Sequence, residues 1–235
     1  LAVCKILSNQ YVISQVLMDT HMQNIVVQPV EGDGRDRPTT KREQRAASIE
    51  AWLTKALTLF ITQGYHATTV EESAQSADLT KGAVYFYFKS KANVLKTLLD
   101  RTEELTVEPT LAAMKYAGED PRDRLNAFVR SQSVIGAEKT EYMLLAILMS
   151  AEFNGSGDEI ETRLTDLMAR MENALRKTVK VGQKSGVFRK GIGPDELASV
   201  IMATNKGCYV EWYMRGTDLK GHDFARAFRD FVFDG

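Results

Sequence analysis

Apolar residues recur at helical spacing along most of this chain. Ile49, Trp52, Leu53, Ala56, Leu57 and Phe60 follow i, i+3, i+4, i+7, i+8 and i+11, which predicts a helix over 41–63 with one inward stripe. Gly64 is placed to end it in a left-handed cap. A second stripe, Leu95, Leu98, Leu99 and Leu105, starts after a capping Ser90, and Pro109 predicts a kink or a restart further on. Past the turn at 118–121, Leu125, Phe128, Val129 and Gln132 mark one helix, and the very apolar run 142–153 marks another. Asn154-Gly155-Ser156-Gly157 reads as a turn. Ile160, Leu164, Leu167, Met168, Met171, Leu175 and Val179 then make a long stripe ending near Gly182. A loop over 186–193 precedes a helix from Pro194, with Pro at its first position and acids in its first turn, running to about Arg215. A last helix, 222–233, carries Phe224, Phe228 and Phe231. No segment alternates as a paired strand does, so the expected fold class is all-α.

The segment 68–91, TTVEESAQSADLTKGAVYFYFKSK, is organised differently. Thr69 and Glu72 have capping-box spacing, and a short helix follows with Val70, Ala74 and Ala77 on one face. Asp78 suits a turn, Leu79 plugs it, and Thr80 caps a second short helix whose inward pair is Val84 and Phe88. The opposite face carries Lys81, Gly82, Ala83, Tyr85 and Tyr87. It is small at its start and rich in donors, as a helix entering a DNA major groove must be.

This run resembles the DNA-binding domain of TetR-family transcriptional regulators. Thr68, Thr69, Val70, Ala74, Ala77, Thr80, Lys81, Gly82, Val84, Tyr85, Tyr87, Phe88 and Lys91 fall on that family's pattern. Ser73, Asp78 and Leu79 depart from it, where Ile, Gly and Val are usual, and none of the three removes a DNA-facing group. The resemblance implies a three-helix helix-turn-helix domain over 41–90 and a helical effector-binding and dimerisation domain over 91–235. Residues 1–40, ending in the Gly, Pro and charge mixture EGDGRDRPTT, read as a disordered extension. It also implies DNA contacts at Thr69, Thr80, Lys81, Gly82, Ala83, Tyr85, Tyr87 and Lys91. Lys81, Gly82 and Ala83 would lie nearest base edges. Thr69, Tyr85, Tyr87 and Lys91 would touch phosphates.

Composition changes this picture little. The 235 residues carry 30 Lys and Arg against 31 Asp and Glu, a net charge of −1, so any attraction to nucleic acid is local. From Lys41 to Arg101 there are nine basic and six acidic residues, a surplus of three, which fits a local basic surface. Two cysteines, Cys4 and Cys208, in unlike contexts suit free thiols in a reducing cytoplasm. No stretch reaches the eighteen or so apolar residues of a membrane span. His21, His66 and His222 are scattered without metal-ligand spacing, so no metal or cofactor is expected. The spacing of Gly186 and Gly191 mimics a phosphate loop, but Ile192 and Gly193 stand where Lys and Ser or Thr are needed.

The expected activity is that of a homodimeric, ligand-responsive repressor of double-stranded operator DNA, with no enzymatic chemistry. The rival is an all-α enzyme or ligand carrier with an incidental helix-turn-helix, and no cluster of ionisable groups supports it. Methionines and aromatics of the middle helices suggest an apolar effector pocket lined by Phe128, Met143, Ile147, Phe153, Met168 and Met171, with Asn205 and Tyr209 orienting a neutral or weakly polar ligand. The two last helices have more apolar surface than one chain covers. Leu197, Val200, Ile201, Phe224, Phe228 and Phe231 are therefore expected at a two-fold interface.

Overall fold

The computed structural model describes residues 40–69, 81–218 and 220–234, and for residues 41, 42, 81, 83–85, 217 and 234 the backbone alone. Every regular element among them is helical: α1 (Lys41–Gln63), α2 (Lys81–Phe88), α3 (Lys91–Thr102), α4 (Glu108–Tyr116), α5 (Pro121–Glu138), α6 (Thr140–Glu152), α7 (Glu159–Ser185), α8 (Pro194–Arg215) and α9 (Gly221–Asp234). Two compact units divide the chain after Val94, inside α3. The expected extension, the helix over 70–77, the Thr69–Glu72 capping box and the turn at Asp78 lie in part or whole outside the described residues.

In the first unit, α1 begins with a full capping box. Thr40 Oγ1 accepts from the Glu43 N–H at 3.2 Å, and Glu43 Oε2 accepts from the Thr40 N–H at 3.0 Å. Thr40 therefore belongs to the helix, not to the linker before it. The stripe faces inward as its spacing requires, with Trp52, Leu53, Ala56, Leu57 and Phe60 all buried. Trp52 stacks on Phe88 of α2 with ring centroids 5.1 Å apart. Gly64 ends α1 at φ 86°, ψ 163°, a region open to glycine alone, and not in the left-handed helical cap that the sequence suggests. A second sharp turn, with Lys89 at φ 62°, joins α2 to α3. There the Ser90 hydroxyl accepts from the Asn93 N–H and caps α3.

The second unit is a bundle of α4 to α9 with the remainder of α3. Pro109 falls in the first turn of α4, where α winding resumes after a wider turn. Glu103–Val107 forms a π turn, closed by the Glu108 N–H to Glu103 C=O bond, and joins α3 to α4 without a break. A proline donates no N–H to the carbonyl four residues before it and crowds that carbonyl; the wider turn just upstream gives the ring room. Glu103 is held by both Arg163 and Arg170 of α7, and Arg170 also pairs with Glu108. The turn before α7 is pinned by Glu161, whose two carboxylate oxygens accept from the N–H groups of Gly155 and Gly157, each at 2.6 Å. Those two amides hold the carboxyl below its ordinary range.

Candidate DNA interface and effector cavity

On α2 the sequence-predicted contacts separate. Gly82 is exposed, and nothing lies within 4 Å of where a Cβ on it would sit. Tyr87 is 39% exposed, and the Arg45 guanidinium of α1 lies over its ring, 5.3 Å from the centroid. Thr69 is exposed just before the undescribed segment. Thr80 lies outside the described residues, as do the side chains of Lys81, Ala83 and Tyr85. Phe86, which the sequence reading passed over, is 74% exposed, with its ring edge-on to Tyr87. The available signal was the run of four aromatics, Tyr85 to Phe88. A helix cannot turn four consecutive side chains to one face.

Lys91 corrects an expectation. Its ammonium does not stand free to meet a phosphate. It donates to the carbonyls of Tyr65 at 2.8 Å and Thr68 at 2.9 Å, reaches His66 O at 3.5 Å, and lies over the Tyr65 ring, 4.3 Å from its centroid. An ammonium has three donors, and these three carbonyls take them. Thr68 is buried, and its hydroxyl donates back to Gly64 O at 2.7 Å. Lys91 thus gathers the non-helical segment after α1.

The second unit contains a cavity of about 430 Å³ between α5, α8 and α9. Its walls include Val134, Ala137, Cys208, Trp212, Phe224 and Phe228, and its polar floor is Gln132, Asn205 and Tyr209. This is within the size range of small-molecule sites, and so is the balance of apolar wall and few convergent polar groups. Of the residues expected to line an effector pocket, Asn205 and Tyr209 border this cavity. Phe128, Met143, Ile147, Phe153, Met168 and Met171 do not line it. Five of these six are buried and Ile147 is half-buried, because the apolar stripes of α5, α6 and α7 pack to core density. Two interface candidates are relocated as well. Phe224 and Phe228 face the cavity, and Phe228 is already buried within its own chain. Leu197 and Ile201 are half-buried, while Val200 and Phe231 remain more than half exposed.

Beneath the cavity runs a buried polar thread. Asn205 Nδ2 donates to Gln132 Oε1 at 2.9 Å, and the Tyr209 hydroxyl donates to Gln132 O at 3.0 Å. Gln132 Nε2 donates to Thr110 Oγ1 at 2.8 Å. Thr110, Thr106 and Thr102 then each donate to the carbonyl four residues back, along the π turn and into α3. Burial pushes the Tyr209 phenol well above its ordinary range and keeps it a donor.

An exposed glycine and exposed aromatics on the short helix of one unit, in one chain with a helical unit holding a cavity, fit a two-part ligand-responsive DNA-binding regulator. The relatives agree. Residues 53–98 match the family model for bacterial regulatory proteins of the tetR family. The MbdR regulator of Azoarcus sp. CIB is 39% identical, with a TM-score of 0.74 over 80% of this chain and 98% of that one. PfmR of Thermus thermophilus, a TetR-family transcriptional regulator, is 25% identical, with a TM-score of 0.63 over 78% of this chain and 97% of that one. The transcriptional repressor BepR of Brucella suis biovar 1 (strain 1330) is 23% identical over 77% of this chain and 88% of its own. The chain belongs to the TetR family of bacterial transcriptional regulators. These relatives are regulators, not enzymes, and no helix among the described residues is long and apolar enough to cross a membrane.

Proposed function

We propose that this protein is a cytoplasmic repressor that holds a palindromic operator as a homodimer and releases it when a small, largely apolar effector fills the cavity of the second unit. The observation that carries the DNA half is the empty space around Gly82. A groove wall needs that clearance, and a core-packed helix would have filled it. Thr69, Thr80, Lys81, Gly82, Ala83, Tyr85 and Tyr87 are the proposed contacts. Phe86 joins them, and Lys91 serves by holding the preceding segment in place.

Dimerisation rests on the exposed apolar positions of α8 and α9, with Val200 at 53%, Met214 at 55% and Phe231 at 57% exposure. A dimer sets the two α2 helices about one helical turn of DNA apart, roughly 34–36 Å. An effector that favours another spacing loses the second half-site. Selection of bound sequences from a random DNA pool tests this. The expected product is a palindrome bound with affinity that falls steeply as salt rises. Light scattering should give twice 26.3 kDa. A salt-independent affinity, or a monomer at all concentrations, refutes the respective half.

A further inference from the structure

The cavity floor has a polarity that the thread beneath it fixes. Thr110 has one hydroxyl proton; with that proton on Thr106 O at 2.7 Å, the same oxygen is the acceptor toward Ser131 Oγ at 3.0 Å. Thr110 Oγ1 must therefore accept from Gln132, which turns the Gln132 amide nitrogen toward Thr110 and its oxygen toward Asn205. Asn205 in turn must present its own nitrogen to that oxygen. The orientation of both amides follows from this succession of single protons. The Tyr209 proton is taken by Gln132, whose main-chain carbonyl lies at 3.0 Å and whose Oε1 lies at 3.2 Å.

One strong group is left over. Asn205 is 2% exposed and lines the cavity, and its Oδ1 takes no hydrogen bond from any described residue. That oxygen is not sealed in the core; the buried side-chain polar atoms without a hydrogen bond among the described residues are on Trp52 and Arg176. Its opening is onto the cavity. A buried carbonyl oxygen without a donor is costly, and a ligand that supplies the donor recovers that cost. The donors around it are largely spent: the Tyr209 O–H and one N–H each of Gln132 and Asn205 are taken.

We infer that the cavity selects a neutral ligand with an apolar or aromatic body whose buried end donates an O–H or N–H to Asn205 Oδ1, and that it discriminates against the same body ending in a carboxylate. The inference rests on the effector reading above. The aromatic walls from Trp212 and Phe224, with Val134 beside them, accept the body.

The test is calorimetric titration of the full chain with three probes of one shape: 4-propylphenol, its methyl ether 4-propylanisole, and 4-propylbenzoate. Wild-type protein should bind the phenol at least about tenfold tighter than the ether, because only the phenol has the donor, and the benzoate weakest of all. Asn205→Leu should equalise phenol and ether. Asn205→Leu should still bind the ether, which separates lost chemistry from lost folding. An ether that binds as well as the phenol, a benzoate that binds best, a preference that survives Asn205→Leu, or no binding by any of the three overturns the inference. Adding the phenol to the protein–operator complex keeps the two readings apart. Donor-selective binding that leaves operator affinity unchanged removes the regulatory role and leaves the chemistry standing. Operator release by phenol and ether alike removes the chemistry and leaves the role.

Discussion

Lys91 and Gln132 are each a polar side chain that ties separate segments together, and they do so in opposite surroundings. Lys91 is half-buried near the surface of the first unit and spends a full charge on backbone carbonyls. Gln132 is 3% exposed in the second unit and spends a neutral amide on Thr110, Asn205 and Tyr209. The first unit exposes Gly82, Phe86 and Tyr87 on its short helix. The second holds a buried polar thread beside a cavity of about 430 Å³. A surface read by DNA must be held stiff from behind. A cavity read by a small molecule must instead have a floor whose hydrogen bonds are already assigned.

The sharpest way to break this contrast is Gly82→Leu. Operator affinity should fall by at least about a hundredfold, roughly 3 kcal/mol, while the melting temperature stays put, since a Cβ added at 82 meets no described residue within 4 Å. Filter binding and a thermal melt on the same sample decide it. Gln132→Leu should do the reverse. It leaves Asn205 Nδ2 without its acceptor and Thr110 Oγ1 without the Gln132 donor, while Tyr209 keeps the main-chain carbonyl of residue 132, costing about 2–3 kcal/mol and lowering Tm by roughly 5–10 °C, with the fold of the first unit intact by heteronuclear NMR.

Lys91→Met sharpens the comparison further. Removing the ammonium leaves the Tyr65 and Thr68 carbonyls without their donor, so stability should drop by about 1–2 kcal/mol and operator binding should weaken at every salt concentration. The slope of log affinity against log salt should not change. A slope shallower by about one would return Lys91 to the phosphates. The smallest effect belongs to Glu161. Its carboxyl is held below the ordinary value of 4.5, so its contribution is complete above that value and disappears as pH falls through the lowered one. Amide exchange at Gly155 and Gly157 should therefore quicken at acid pH in the wild type, and be already quick and pH-flat after correction in Glu161→Gln.

Much of the first unit was legible because its logic is periodic and local. The α1 stripe, the glycine at 82 and the inward Phe88 all announce themselves by spacing. The role of Lys91 was not, since its partners are main-chain carbonyls 23 to 26 residues earlier, and any residue type supplies a carbonyl. In the second unit the helices could be read closely, α8 to the residue, yet the cavity could not. A cavity is where side chains fail to meet, and methionine, the residue that hinted at it, is the one best able to fill such gaps. Gly136 was a better signal. It stands in the last turn of α5 and borders the cavity, where an added Cβ would lie 3.7 Å from the Tyr209 ring.

The π turn has one more consequence, and it concerns winding. Thr102, Thr106, Thr110 and Met114 are all buried, spaced strictly by four. An ordinary helix winds once in about 3.6 residues, so each step of four overshoots by roughly 40°, and three such steps would carry Met114 about a third of the way round from Thr102. The turn at Glu103–Val107 closes five residues apart and winds more slowly, taking back much of that overshoot. The chain can thus count in fours for three turns without spiralling out to solvent. Deleting a single residue there would shorten the chain by only about 1.5 Å, yet it would swing Thr110 away from Gln132 by roughly 100°.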